Sequence, residues 1–555
     1  MSDDVTTPDD GAPMVPPRTS RRRGLWVATG VAGLTGIVGL AALGGLAARH
    51  DRAGDPERVA DNRATAPPNA GDDSPEDGRT SEDGAGHDPK GEDLSDAGPG
   101  RDDAHGREGP EWGARGGAED HDDVREVPCD DDALVDAIEL ANRDHGGTLK
   151  LAEKCTYELD VKDRKIGGAL PEIKQDVTIK GNGSTITRDA EDSFRIFRVV
   201  DGGALTLKDL TISGGNASEV TDPGGSVRST PAGGGGKRYE GDGGALLVER
   251  GGKARLAQVT LAGNNAGGDG GAVANFGRVW LEDSRVVNNH ARGDGGGVFN
   301  RGILKVEETK VDDNTAGGNG GGIANGSGGR RTGVGQVAGT VEITGGWAGK
   351  DTSPSTLSRN RAGRDGGGLF SGGGYVTVSF TAITGNTACE NGGGIDAENT
   401  DLDVGKVIIA GNHAGHDGGG MDTGEGFATV ADSVIVDNTA NRFGGGIYNG
   451  QWLIKIEDGF LTRPQDEDDN AALTLRNTVI KGNTALNGGG IFNNKAKITL
   501  TKTHVTENTA TDTAKLHRVA GGILNHEGHV TLDDESLISN NDPTNCANTV
   551  EDCFN

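Results

Sequence analysis

Gly295-Gly296-Gly297-Val298-Phe299-Asn300 runs into Gly302-Ile303-Leu304-Lys305-Val306 and then into Lys310-Val311-Asp312-Asp313-Asn314-Thr315-Ala316. Each piece is rich in β-branched residues, alternates over a few positions and stops short of helical length, so each reads as a short strand. Glycines between them mark corners that need positive φ or a close backbone approach. The pattern returns along the chain. The apolar residue after the glycines is Leu246, Val273, Val298, Ile323, Leu369, Ile395, Met421, Ile447, Ile491 and Ile523, at intervals of 27, 25, 25, 46, 26, 26, 26, 44 and 32 residues. A second mark, Asn-x-Ala, keeps step at Asn264, Asn289, Asn314, Asn360, Asn386, Asn412, Asn438, Asn483 and Asn508. Two marks with one period predict an all-β parallel β-helix with three short strands per coil of about 25 residues, each coil pairing edge to edge with the next ~4.8 Å away. Identical positions then stack, and inward asparagines can hydrogen-bond along the ladder so formed.

The repeat explains the composition. Glycine supplies 98 of 555 residues, but 18 prolines and the lack of a Gly-X-Y register exclude collagen. The formal charge of −30 argues against a nucleic-acid partner. Residues 1–24 form a basic tail with Arg18 and Arg21-Arg22-Arg23, and Leu25 to Ala48 carries no charge. As a helix those residues span ~36 Å, enough for a hydrocarbon core of ~30 Å. Basic residues before them and net acid after them predict a single-pass membrane anchor with the remainder outside. A cleaved export signal is the other reading, since Ser20-Arg21-Arg22 resembles a twin-arginine start and Gly45-Leu46-Ala47 offers a cleavage site. From Asp51 to Glu126, 23 acidic residues face 9 basic ones, with Val59, Leu94, Trp112 and Val124 as the only large apolar side chains. Residues 49–126 therefore read as a disordered acidic linker, and 127–555 as the β-helix domain.

The Gly-Gly-Ala/Gly-Ile and Asn-x-Ala marks resemble the repeats of polymorphic outer-membrane proteins and of the wider pectin-lyase-like superfamily of right-handed parallel β-helices. Val127-Pro128-Cys129, Ala133-Leu134-Val135-Asp136-Ala137-Ile138, Cys155-Thr156-Tyr157 and the ending Asn540-Asn541-Asp542-Pro543-Thr544-Asn545-Cys546 are similar to actinobacterial secreted β-helix proteins. The repeats run to Ile523 with no translocator barrel after them, so an autotransporter reading is poor. Leu134, Ala137, Ile138 and Ala141 have helical spacing and predict a helix that caps the open end of the coils. Five cysteines suit an exported protein: Cys129 with Cys155 and Cys546 with Cys553 are the expected pairs, leaving Cys389 over.

The long intervals realign if Ser327 to Val337 and Gln451 to about Asn470 are insertions leaving the same corner, and in solenoids such insertions often flank the working surface. The residue after each apolar mark should face outward. That column reads Ala274, Phe299, Ala324, Phe370, Asp396, Asp422, Tyr448, Phe492. Phe370, Asp396, Asp422 and Tyr448 suit a saccharide, with rings packing on pyranose faces and carboxylates accepting hydroxyl protons; a merely solvated face with stacked rings is the plainer alternative. A second column, before the glycines, reads Asp242, Asp269, Asp294, Asn319, Asp365, Asn391, Asp417. Such residues at corners ordinarily fix turns, although Asp242, Asp269 and Asp294 in succession could hold Ca²⁺. Arg364, Glu390, His416 and Arg442 read as a surface ion-pair ladder. Catalytic sets known on this fold are not matched: Gly415-His416-Asp417 stands beside Asn-Thr-Ala rather than Asn-Thr-Asp, and Asp396, Asp422 and Arg442 are the nearest catalytic candidates. The expectation is an exported, cell-surface or secreted rod that binds extracellular polysaccharide, the alternative a polysaccharide lyase or glycoside hydrolase using the carboxylate pair.

Overall fold

Asn314 shows how one coil is fixed to the next. Its side-chain oxygen accepts the backbone N–H of Asn289 at 3.0 Å and the Asn289 Nδ2 at 3.0 Å, while its own Nδ2 donates to the Val286 carbonyl at 2.9 Å and to Asn360 Oδ1 at 3.0 Å. The same links run from Asn264 through Asn289, Asn314, Asn360, Asn386, Asn412, Asn438, Asn483 and Asn508 to Asn541, which the repeat count did not include. Every rung is buried. In the computed structural model the described residues are 124–160, 168–218, 240–327, 338–346, 353–450, 453–456, 459–462, 471–512, 519–548 and 550–553. The expected anchor at 25–48 and nearly all of the expected linker lie outside them.

Around this ladder the chain forms a parallel β-helix with three parallel sheets. A full coil holds four short strands rather than the expected three: Val298–Asn300, Ile303–Glu307, Lys310–Asp312 and Thr315–Ala316. The second and third belong to one sheet, bent between them at Glu308, whose φ is +46°. Val298–Asn300 and its equivalents build a 12-stranded sheet, and Thr315–Ala316 and its equivalents a 10-stranded one. Strand register follows the repeat, with Val298 opposite Val273 and Ile323. The inward residues merge into one apolar core from Val127 to Cys546.

The glycine triplet has a different reason at each place. At Gly392, φ is +61° and an added Cβ would lie 2.4 Å from the Cβ of Asp396; at Gly393 it would lie 2.4 Å from the Gly419 carbonyl oxygen in the next coil; at Gly394 it would press on the Gly420 carbonyl oxygen at 2.6 Å and the Asn412 amide at 3.1 Å. Only hydrogen fits all three.

The N-terminal end is closed by the helix Asp131–Arg143, which buries Leu134, Ala137, Ile138 and Ala141. Asp130 caps it, accepting the Ala133 N–H at 2.9 Å. The sheet includes residues slightly before the expected boundary at 127, since Val124–Val127 pairs with Thr148–Leu151. Cys129 is bonded to Cys155 and Cys546 to Cys553, while Cys389 is an exposed free thiol. Among the described residues no helix is long and apolar enough to cross a membrane. Within the 46-residue interval residues 328–337 and 347–352 lie outside the described residues, and the coil is carried by Ile323–Asn325, Thr340–Thr344, Ser355–Ser358 and Arg361–Ala362. The 44-residue interval carries an antiparallel pair, Leu453–Ile456 with Gly459–Thr462.

Asn386→Ala would leave the Asn360 N–H and amide without their acceptor and the Leu357 carbonyl without its donor. The expected loss is about 3 kcal/mol, read as a lower chemical-denaturation midpoint, whereas Thr377→Ala on an exposed face should shift stability by under ~0.5 kcal/mol. Alkylation should modify one cysteine before reduction and five after it; more than one before reduction would contradict the pairing.

Candidate functional site

The column after the apolar mark is not open to solvent. Phe299 and Phe370 are 0% exposed, Asp396 1%, Asp422 and Tyr448 2% and Phe492 3%. This corrects the outward reading, which treated a three-residue strand as having one wet face. The side chains do point away from the main core, into two separate clusters: Leu247, Ala274, Phe276, Phe299, Ala324 and Phe370 in one, Phe443, Tyr448, Phe492, Ala520, Leu524 and Ala547 in the other. The glycine corner of each coil folds back over them, as the contact of Gly392 with Asp396 shows. Register places Phe370, Asp396, Asp422, Tyr448 and Phe492 on successive coils, and the Tyr448 and Phe492 rings stack with centroids 5.4 Å apart.

Arg442, the third catalytic candidate, is held by Asp417, with Nε 3.1 Å from Oδ1 and the second guanidinium nitrogen on Oδ2. Asp417 is buried, and burial raises its pKa against the lowering effect of Arg442. Burial, then the Asp417 and Asp422 carboxylates, push the Tyr448 hydroxyl well above its ordinary range. Its oxygen accepts the Asn494 amide at 3.3 Å. The group is thus a packed polar interior between two aromatic clusters. In this arrangement neither Asp396 nor Asp422 can meet a polysaccharide.

The second column performs the turn-forming task. Asp242 accepts the Asp269 N–H at 2.9 Å, Asp269 that of Asp294 at 2.8 Å, and Asp294 that of Asn319 at 2.7 Å; Asn319 does the same for Asp365 at 3.2 Å. Among the described residues no group of three or more His, Cys, Asp or Glu is placed to hold a metal ion, so the Ca²⁺ expectation for Asp242, Asp269 and Asp294 finds no such site there. Burial and then Asp269 push Asp242 up to about 7 and Asp294 up to about 6. The buried Arg195 guanidinium, lowered to about 10 chiefly by burial, donates to the carbonyls of Glu240 and Asp242 at 2.8 and 2.9 Å. Of the expected surface ladder, Arg364 and Glu390 stand 3.7 Å apart.

Among the described residues, two exposed aromatic rings lie across the corner. Tyr375 is 65% and Phe427 58% exposed. Tyr375 pairs with Asp401, and Asp401 with Phe427, so the two rings stand two coils apart, ~9.6 Å along the rod, with a carboxylate between them. Asp403 and Thr377, two residues on in their strands, share the outer face and are exposed; Thr429 is half-buried. This row begins at the corner used by both insertions. The first returns just before Thr340, which pairs with Tyr375, and the second just before Ala472, which pairs with Phe427. Three coils without a long insertion are therefore bracketed by two that have one. The signal was present in the repeat alignment as the column Arg278, Ile303, Thr340, Tyr375, Asp401, Phe427, Ala472, but only after both insertions were placed.

The architecture is a parallel β-helix built from three parallel sheets. No family model and no curated protein sequence matches the chain. Among solved structures it is similar to the A-module of the mannuronan C-5 epimerase AlgE6 of Azotobacter vinelandii (14% identity, 77% of this chain, 100% of that one, TM-score 0.37). It is also similar to the catalytic unit of the GH87 α-1,3-glucanase of Streptomyces thermodiastaticus (16%, 74% and 66%, TM-score 0.37) and to tailspike protein 3 of bacteriophage CBA120 (12%, 75% and 59%, TM-score 0.35). Likeness at this level carries over neither reaction nor ligand.

The raised carboxylates give a pH dependence. Asp242 in the folded chain holds its proton up to about pH 7, whereas an unfolded Asp releases it near ~3.9. The folded state therefore binds more protons between these values, and stability falls as pH rises through that window. The thermal midpoint should be lower at pH 8 than at pH 5. Asp242→Asn keeps an acceptor for the Asp269 N–H, so it should raise the pH 8 midpoint and flatten the dependence; an unchanged profile would show that Asp242 is ionised at little cost.

Proposed function

We propose that this protein is a glycan-binding rod whose working face is the row Tyr375, Asp401, Phe427. The observation that carries this reading is the pair of exposed rings two coils apart, separated by a carboxylate and bracketed by insertions at one corner. Flat rings in water are suited to the C–H face of a pyranose, and a carboxylate between them accepts hydroxyl protons. The spacing of the rings is about the length of a disaccharide, so a chain lying along the rod can cover both. In our reading the rod is exported, with Leu25 to Ala48 as anchor or signal and the acidic segment after it as spacer. Burial of Asp396 and Asp422 favours binding over a lyase or hydrolase centred on them.

The protein should be incubated with a panel of polysaccharides, with and without Ca²⁺, while retention and new reducing or unsaturated ends are followed. Retention without product is expected, weakened roughly tenfold by Tyr375→Ala and by Phe427→Ala. Product formation abolished by Asp422→Ala would instead establish an enzyme.

A further inference from the structure

The charges around the two rings select among glycans. A chain reaching from Tyr375 to Phe427 must cross the coil between them, and the outer face of that coil presents Asp401 and Asp403, both exposed. Glu425, exposed in the corner before Phe427, adds a third carboxylate, and Glu342 stands on the same face one coil before Thr377. Among the described residues the cations nearest this face stand at its margins, including Lys406, just after the strand that carries Asp401 and Asp403, with its Nζ 4.8 Å from the Phe380 ring. Lys305 lies 4.0 Å from Glu307 and 3.8 Å from Glu342, and Arg476 stands one coil beyond Phe427 at the far end of its strand. The polar neighbours at the row itself are the hydroxyls Thr340, Thr377 and Thr429.

Resting on the glycan reading above, we infer that this face takes an uncharged polysaccharide laid along the rod and rejects polyuronates and other acidic glycans. Each sugar of a polyuronate carries a carboxylate, and the sugar lying between the rings would set its charge against Asp401 and Asp403 well within the ~8 Å screening length. Like charges in contact across an interface disfavour a partner without any loss of shape fit. An uncharged sugar brings hydroxyls to the same place, and these donate to the carboxylates as charge-assisted hydrogen bonds. The rings then contribute to affinity for either class of glycan and the carboxylates discriminate between them. The direction of the chain follows from the placement of the rings, since a glycan crossing the rod at right angles would meet one ring only.

The test is affinity electrophoresis of the full-length protein in a soluble uncharged β-glucan and in polygalacturonate, each with chelator and with Ca²⁺. The glucan should retard the protein and polygalacturonate should not. The double variant Asp401→Lys, Asp403→Lys should gain retardation by polygalacturonate of at least tenfold, and the further change Tyr375→Ala should remove it. Both positions are exposed, and an unchanged thermal midpoint will show that the variants fold. Polygalacturonate retarding the unaltered protein through Tyr375, in chelator or in Ca²⁺, would overturn the selection by charge while leaving a glycan-binding face. A charge-reversed protein that binds glucan but gains no polygalacturonate would overturn it as well. Retardation by neither polymer would defeat the glycan reading itself.

Discussion

The asparagine ladder is the interaction on which the rest of the structure depends. An amide side chain has two donor hydrogens and an acceptor oxygen, and each interior rung uses all of them: the oxygen takes two donors from the coil before, and the nitrogen donates to a carbonyl of the coil before and to the asparagine of the coil after. Buried in this way, the side chain avoids the cost of an unsatisfied polar group and fixes the rise between coils. Its geometry is indifferent to what lies between rungs. Asn289 to Asn314 spans 25 residues and Asn314 to Asn360 spans 46, yet both links measure 3.0 Å. Insertions are tolerated because the chain needs only to return to the ladder in phase, and the glycine corners allow it to approach closely enough to do so.

That same stacking made much of the fold legible in the sequence. Residues that occupy one column must satisfy one environment, so Ile-x-Asn and Asn-x-Ala recur at a fixed interval, and Leu134, Ala137, Ile138 and Ala141 betray the cap by their helical spacing. The burial of Phe370, Asp396, Asp422 and Tyr448 was not legible. Period-2 alternation describes a strand with one face to solvent, whereas Ile395–Ala397 is a three-residue strand closed on both faces by the turn that precedes it. The fourth strand was also hidden. Lys310 to Ala316 reads as one strand, but it breaks after Asp312 at a left-handed Asp313 and resumes as Thr315–Ala316 in another sheet, and a corner at a non-glycine residue leaves no mark comparable to a glycine triplet. Tyr375 and Phe427 were overlooked for a related reason: they stand next to the corner glycines rather than inside the repeated motif, and their column is broken twice by insertions before it can be read.

The corner acids show how one position can serve the same backbone task at different electrostatic cost. Asn319 and Asn391 accept the N–H of the next coil as Asp242 and Asp294 do, without a charge to desolvate. Where Asp is used at Asp417, Arg442 meets the carboxylate directly, and this lowers the penalty of burial. At Asp242 the nearby buried Arg195 also lowers the penalty and donates to the carbonyls of Glu240 and Asp242, while Asp269 adds a like charge.

A stacked rod separates the demands on its two sides. Inward columns are constrained by the ladder and the core, so a change there is felt in the coils above and below. An outward residue such as Tyr375 or Asp401 has Cβ neighbours only along its own face, and it can vary with little effect on folding. The pleated sheet nevertheless holds it at a fixed rise and direction, so a ring, an acid and a ring on three successive coils form a pre-ordered surface whose backbone needs no further ordering on binding. Insertions can then be added at the flanking coils without disturbing this spacing. Glycine-rich repetition thus supplies rigidity, and the specificity we propose rests instead on an outward column where repetition stops, that of Tyr375, Asp401 and Phe427.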